Sequence, residues 1–482
     1  MNKNLYNLLG SFSADEWNKF DDFVSNRYFA KSRDYKEIMS VLRKYILKSK
    51  KTEELTEECF FVEMKEKISR HTLTNRLSEI NKLAEKFLVI DSIDDKTVSF
   101  RSNLYGKLLG RNLFSNFNYI HNPVKEKLVP NETEDYPDYC KVLVSEAHYH
   151  RINGEIPVVL QKYLEHSEYY AAYFLNKSIL LAMDFHFMKL HGFIGEYEVY
   201  NKYFDILNID EQMQSIIAKD SPVFKPAVLM YYIYKYLLNA SDKEMHRRVI
   251  EYFENNMRFF SMLIKTDYYM KMMSQYVHMH NTRAAKCIPD MFELMKSRIK
   301  DGETVDFSHQ RYPATEFRDF VAIGLLNGET AWVENFIKKY SSQIPASIRE
   351  DEYTNAMVSL YTQKKDLLNA LHVISRQKPS SNHIHNLDMY RMKIMINYDI
   401  DRSARNEDEI ALLKKYFRKK GIDKKHREAT NNFLTNYIKL IELKESKESK
   451  GFSTLAEKYT KTLLPSADIQ WLKAKVTGLL PV

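Results

Sequence analysis

The chain of 482 residues has only 12 glycines and 12 prolines, together about 5 % of its residues, against about 12 % in average proteins. This scarcity of helix breakers, combined with 33 tyrosines and 27 phenylalanines, predicts an all-α protein with aromatic cores. A hydrophobic fraction of 44 % excludes a wholly disordered chain, and a net charge of +8 permits an anionic partner without requiring one.

Cysteine usage and apolar runs predict a reducing, non-membrane environment. The three cysteines, Cys59, Cys140 and Cys287, are odd in number and far apart, as expected for free thiols. The first residues lack the apolar segment of a secretory signal. The apolar runs at 226–234 and 320–328 have about half the length of a membrane-spanning helix. We therefore expect a cytoplasmic protein that does not insert into membranes.

The first helix is indicated by its capping residues. Ser13 and Glu16 have the spacing of a capping box, and Phe12 stands where it can pack against Trp17 as a hydrophobic staple. A second amphipathic helix is predicted from about Asp34. The two helices begin an N-terminal helical domain that we assign to residues 1–105.

Residues 72–87 predict a longer helix with a continuous apolar seam, which indicates packing against another helix. The β-branched alternation that follows predicts at most one small β-hairpin, near residues 89–101. A helix followed by a hairpin has the outline of a winged helix. The polar side of this helix would then face nucleic acid with His71, Asn75, Arg76, Asn81 and Lys82.

The next segment has the composition of a linker. Pro123, Pro130 and Pro137 lie in a polar stretch, so we predict a linker or long loop at 106–140. The remaining residues, 141–482, are predicted to form an α-solenoid of helix pairs.

Repeated turn signals support that solenoid. Asn-Gly-Glu occurs at 153–155 and at 327–329, each time between two apolar-periodic stretches, and predicts a tight turn between helices. Two prolines that close successive units, Pro345 and Pro379, are 34 residues apart, which is the tetratricopeptide period.

Residues 317–379 resemble degenerate tetratricopeptide repeats. Ala356, Leu360, Tyr361 and Ala370 fall near packing positions of that motif, and Gly328 falls at its inter-helix turn. Residues 327–443 are also similar to the carboxyl-terminal part of uncharacterised bacterial helical proteins. Both resemblances imply a helical solenoid and bring no catalytic residues.

Motifs for metal, nucleotide or covalent chemistry are missing from the sequence. The three His-x-His pairs, at 148/150, 278/280 and 383/385, have a spacing that directs the two rings to different faces of a helix. No phosphate-binding glycine loop and no nucleophile elbow occurs. We therefore predict no metal site, no cofactor, no catalytic residues and no enzymatic activity.

Two clusters are candidate contact sites. An aromatic cluster could line a groove for a partner or form ordinary helical core, and it consists of Tyr231, Tyr232, Tyr234, Tyr268 and Tyr269. A basic patch at 414–427 could contact phosphates or be a solvated helix end before Gly421. Its candidate phosphate-contacting residues are Lys415, Arg418, Lys419, Lys420, Lys424 and Lys425.

The leading functional hypothesis is a non-enzymatic scaffold or adaptor that binds a protein or peptide along the solenoid. The alternative is a nucleic-acid-associated regulator that uses the winged-helix-like segment 55–105 and the basic patch.

Overall fold

The computed structural model describes residues 3–30, 34–48, 56–64, 68–190, 208–282, 286–302, 313–377, 380, 382–401, 406–416, 422–446, 452–461, 463 and 468–479. These residues form 24 α-helices and four short 3-10 helices. No strand occurs among them, so the predicted all-α class is confirmed. The chain divides into two compact units, Met1–Leu175 and Asn176–Val482.

The described residues of the first unit form nine helices and part of a tenth. They are α1 (Lys3–Gly10), α2 (Ala14–Ser25), α3 (Arg27–Ala30), α4 (Lys36–Lys48), α5 (Glu57–Glu63), α6 (Arg70–Asp91), α7 (Val98–Leu109), α8 (Phe114–His121), α9 (Tyr136–Ile152) and α10 (Ile156–Leu190). The division between the two units falls inside α10.

The beginning of α2 agrees with its prediction. The Ser13 hydroxyl accepts a hydrogen bond from the Glu16 amide, and the Glu16 carboxylate accepts one from the Ser13 amide at 2.7 Å. The rings of Phe12 and Trp17 lie edge to face with centroids 6.1 Å apart. Both rings belong to a buried core that α6 completes with Leu77.

The hairpin that the sequence allowed near 89–101 does not form. Residues up to Asp91 complete α6, and Val98 begins α7. Thr97 is the N-cap of α7, where its hydroxyl accepts a hydrogen bond from the Phe100 amide at 3.2 Å. The Asp94 carboxylate accepts another from the amide two residues later, at 2.8 Å. Side chains here cap a helix, and no strands pair. The described residues therefore lack the hairpin that a winged helix needs after its recognition helix.

In the segment 106–140, predicted as a linker or long loop, helices alternate with turns at 110–113 and with turns and irregular backbone at 122–132. The segment holds the end of α7, the whole of α8 and the beginning of α9, where Pro137 occupies the first turn without disrupting a hydrogen bond. Tyr105, Phe117 and Leu128 share a buried core with Val142 of α9. The boundary between the two compact units follows Leu175.

A buried polar chain connects four helices of the first unit. Tyr105 of α7 is hydrogen-bonded to Nδ1 of His121 at 3.2 Å, and Nε2 of His121 lies 2.8 Å from the Glu146 carboxylate. The other Glu146 oxygen lies 2.9 Å from the Lys162 ammonium. Burial raises the pKa of Glu146, but the bonds from His121 and Lys162 outweigh burial and leave that pKa below its ordinary value.

The second unit continues from α10 with fourteen further helices among the described residues. They are α11 (Ile209–Lys219), α12 (Lys225–Leu238), α13 (Lys243–Asn256), α14 (Met262–Asn281), α15 (Ile288–Asp301), α16 (Pro313–Leu326), α17 (Thr330–Tyr340), α18 (Arg349–Gln363), α19 (Leu367–Arg376), α20 (His383–Asp399), α21 (Asn406–Tyr416), α22 (Lys424–Glu445), α23 (Phe452–Lys461) and α24 (Ile469–Leu479). Most helices pack against the next one along the chain.

The helix ends at both Asn-Gly-Glu turns and after α18 have the same hydrogen-bond pattern. At the Asn-Gly-Glu turn after α16, the Glu329 amide donates to the Gly324 carbonyl and the Gly328 amide to the Leu325 carbonyl. The turn after α9 repeats both bonds, and Gly154 and Gly328 have positive φ angles of 75° and 82°. After α18, Lys365 takes the same place with φ 59°. These are Schellman ends, so the predicted turns are confirmed; Pro379 lies outside the described residues.

Candidate protein-binding groove

The first three predicted tyrosines lie on α12, a helix that is buried on nearly all sides. Tyr231 and Tyr232 are buried and Tyr234 is half-buried. The Tyr231 hydroxyl donates a hydrogen bond of 2.9 Å to Asp210 of α11. These three rings therefore pack within the unit and present little surface to a partner.

The other two predicted tyrosines lie on α14 and pack against α13. The Tyr268 ring stacks on Phe253 with centroids 3.7 Å apart and planes 9° apart, and Tyr269 meets the same ring edge on at 5.5 Å. Tyr252, the residue before Phe253, contacts Tyr232 at 5.2 Å. The structure thus brings both tyrosine clusters against α13, on different faces of that helix.

An open cavity of ≈ 780 Å³ lies beside the second cluster, between α13, α14 and α15. We call this cavity the groove. Its floor is formed by buried rings of α13 and α14, of which Phe253, Tyr268 and Tyr276 are each 3 % exposed. Its rim is polar and is formed by His246, Glu254, Asp290, Glu293, Ser297, Lys300 and Asp301.

Contacts along the groove fix the directions of the three helices. His246 near the start of α13 meets Tyr276 near the end of α14, with Nε2 2.6 Å from the hydroxyl. Lys265 near the start of α14 pairs with Asp301 at the end of α15, at 3.0 Å. Successive helices are therefore antiparallel, and α13 runs parallel to α15. One end of the groove holds His246 and Asp290, and the other holds Glu254 and Lys300.

Charge is distributed unevenly along the rim. Glu293 pairs with Lys296 at 2.6 Å, and Asp301 is engaged with Lys265. Glu254 and Asp290 are exposed, and neither has an ion-pair partner among the described residues. The end of the groove at Asp290 is therefore anionic.

His246 supplies no compensating positive charge at that end. Burial lowers the pKa of His246 below its ordinary value, although the Asp290 carboxylate acts in the opposite direction. Burial likewise raises the pKa of Tyr276, so the hydroxyl keeps its proton and can donate it to the neutral imidazole. The hydrogen-bonded pair of His246 and Tyr276 therefore contributes no net charge to the wall of the groove.

The basic patch is divided between two helices. Lys415 is exposed in the last turn of α21, where a cation complements the helix dipole. Lys424 and Lys425 belong to the first turn of α22, which Asp423 caps by accepting from the His426 amide at 3.0 Å. Arg418, Lys419 and Lys420 lie outside the described residues, as does Gly421.

The histidine pairs do not form a metal centre in the part of the chain that the structure describes. No group of three or more His, Cys, Asp or Glu residues there could hold an ion. His150 is bound to Glu155, and His383 lies 2.7 Å from the Tyr416 hydroxyl. Within the same residues, no helix has both the length and the apolar character that crossing a membrane requires.

Sequence reasoning missed the rim of the groove. Nothing in the neighbouring sequence distinguishes a polar residue beside a cavity from any other polar surface residue. The rim residues Asp290, Ser297 and Lys300 therefore could not be recognised from the sequence. The usable signal was on α13 and the residue after its end, where His246, Ile250, Phe253 and Met257 recur at spacings of four, three and four and line the groove.

No protein-family profile, curated protein or solved structure matches this chain.

Proposed function

We propose that this protein is a non-enzymatic, cytoplasmic scaffold for protein–protein interaction and that the groove between α13, α14 and α15 binds a segment of the partner. The observation that carries this proposal is the groove itself, with its buried aromatic floor and exposed polar rim. Protein interfaces share this arrangement, in which an apolar centre supplies affinity and a polar rim supplies specificity.

The proposed scaffold includes tetratricopeptide-like repeats at α16 to α19. Helices α16 and α17 pack on each other, as do α18 and α19, and α16 also packs on α18. In each pair, the turn that connects the two helices has the same hydrogen-bond pattern, at Gly328 in the first and at Lys365 in the second. Stacked pairs of this kind form extended surfaces along which a partner can bind.

Site-directed photo-crosslinking in cells tests the groove. A benzophenone amino acid placed at Ser297 on the rim should crosslink a partner. The matched control places it at Glu251, which is exposed on α13, pairs with Arg247 and does not line the groove. The partner from the groove position would be purified for calorimetry with the full chain.

Binding of that partner should then depend on the groove. Ser297→Arg should weaken the binding at least about tenfold, because a long charged side chain at the rim would extend over the cavity and block the apolar floor, where central contacts carry most of the affinity. Glu251→Gln should leave it unchanged. Identical crosslinks from both positions, or affinity that survives Ser297→Arg, would show that the groove is not the binding surface.

A further inference from the structure

Resting on the proposed function, we further infer that the groove accepts an extended segment of about five residues that carries a lysine or arginine, whose cation lies beside Asp290. Three features of the groove support this ligand: its length, the charge at one end and the combination of apolar floor with anionic rim.

The length of the groove sets the length of the segment. The rim residues of α15 extend from Asp290 to Asp301, and eleven residues of helix rise about 16 Å. An extended chain advances about 3.3 Å per residue, so about five residues span that distance.

The negative charge at the Asp290 end of the groove indicates which side chain the bound segment carries. Asp290 is exposed, lines the groove and has no ion-pair partner among the described residues. The rim cation Lys300 lies ten residues further along α15, about 15 Å away. His246 is held neutral by burial. A cationic group at this end would therefore meet a carboxylate, and none of the described residues that line this end carries a positive charge.

The floor fits the rest of such a side chain. Ile250, Phe253 and Leu294 supply apolar surface between the polar rims. Lysine and arginine carry a charged head on an apolar stem, and the stem can cover this surface while the head stays in water. Nucleic acid fits the groove poorly, because its phosphates would be repelled by Glu254 and Asp290.

The test uses the full chain and a positional-scanning library of acetylated, amidated heptapeptides, with binding measured by fluorescence polarisation. Lysine or arginine should be preferred at one position. Replacing it by norleucine or citrulline should weaken binding about fivefold, as expected for one solvent-exposed charge pair. The preference should weaken as salt is raised.

Variants assign that preference to Asp290. Asp290→Asn should remove the roughly fivefold preference, and Asp290→Lys should favour glutamate at the same peptide position. Glu251→Lys, outside the groove, should change neither. Asp290 lies in the first turn of α15, where a substitution can weaken the start of the helix. Circular dichroism is therefore the folding control, and it should show that both variants keep their helix content. Asp290→Asn also keeps a polar side chain at this position.

The outcomes separate this inference from the proposed function. Peptides that bind the groove without preferring a cation, or a preference that survives Asp290→Lys, would overturn the inference and leave the scaffold proposal standing. If no peptide binds but the crosslinked partner still requires Ser297, the groove recognises a folded surface, and the extended-segment inference is wrong. Insensitivity of both ligands to Ser297→Arg would refute both proposals.

Discussion

Replacing Phe253 by alanine should destabilise the second unit by about 3–5 kcal/mol, the usual range for a buried phenylalanine. The ring is 3 % exposed and stacks on Tyr268 at 3.7 Å. It also contacts Phe260 and Tyr269 at 5.8 and 5.5 Å. Aromatic pairing accounts for about 0.5–1.5 kcal/mol per pair beyond the buried area. Phe253→Leu, which keeps most of the volume, should cost about 1.5 kcal/mol.

Hydrogen exchange measured by mass spectrometry can localise this effect within the full chain. A loss of 3–5 kcal/mol should accelerate the exchange of protected amides in α13 to α15 by about two to four orders of magnitude. Peptides from α6, in the first unit, serve as the internal reference. Phe61→Ala is the matched control, since Phe61 is 38 % exposed and its loss should cost about 1 kcal/mol or less.

The reasoning would be refuted by acceleration of less than about tenfold in α13 to α15, which corresponds to less than about 1.4 kcal/mol. An equal effect of Phe253→Leu and Phe253→Ala would also contradict it, because the ranking follows from the volume that each variant removes.

Three further predictions concern the wall of the groove and two helical glycines. Tyr276→Phe removes the hydroxyl bonded to His246 and should lower the free energy of unfolding by about 1 kcal/mol; an unchanged urea midpoint would contradict this. Because burial lowers the pKa of His246 from 6.5, the unfolded chain binds the proton first, and stability should fall as the pH drops below about 6.5. His246→Gln should flatten that fall in pH-dependent urea titrations, and parallel curves would exclude this histidine as the cause. Gly324→Ala places a Cβ 2.5 Å from Cγ2 of Val333 and should cost about 1–3 kcal/mol, whereas Gly106→Ala meets no atom within 4 Å and should stabilise by about 0.5–1 kcal/mol; thermal shifts of the same sign would be inconsistent with this packing.

Features encoded by nearby residues were predictable from the sequence. The capping box of Ser13 and Glu16 needs only four consecutive residues, and its hydrogen bonds form as expected. The seam of the 72–87 segment became the buried face of α6, with Leu73, Ile80 and Phe87 inside the core. Both signals are local, because capping and helical periodicity are decided within one or two turns.

The hairpin that the sequence allowed near 89–101 does not form, because two local signals compete there. Residues 89–100 alternate β-branched and polar side chains, which is typical of a strand. The same polar residues also satisfy backbone amides, and Thr97 does so at the start of α7. A two-stranded hairpin is marginal alone in water, whereas α7 buries Val98 and Tyr105 against other helices. Tertiary burial therefore favours the helix, and the sequence pattern does not reveal this outcome.

The groove was only half predictable, for a reason that follows from its construction. Tyr268 and Tyr269 could be recognised as candidates from their residue type, yet whether a buried ring borders a cavity depends on where α13 and α15 lie. Glu254 and Asp290 are 36 positions apart and line one groove because α13 and α15 both flank α14. Periodicity identifies the face of a helix that is apolar, and it says nothing about which neighbour leaves part of that face uncovered. The proposed specificity therefore rests on exposed charges whose position beside the groove is set by packing alone, which makes Asp290 the residue at which charge reversal is most informative.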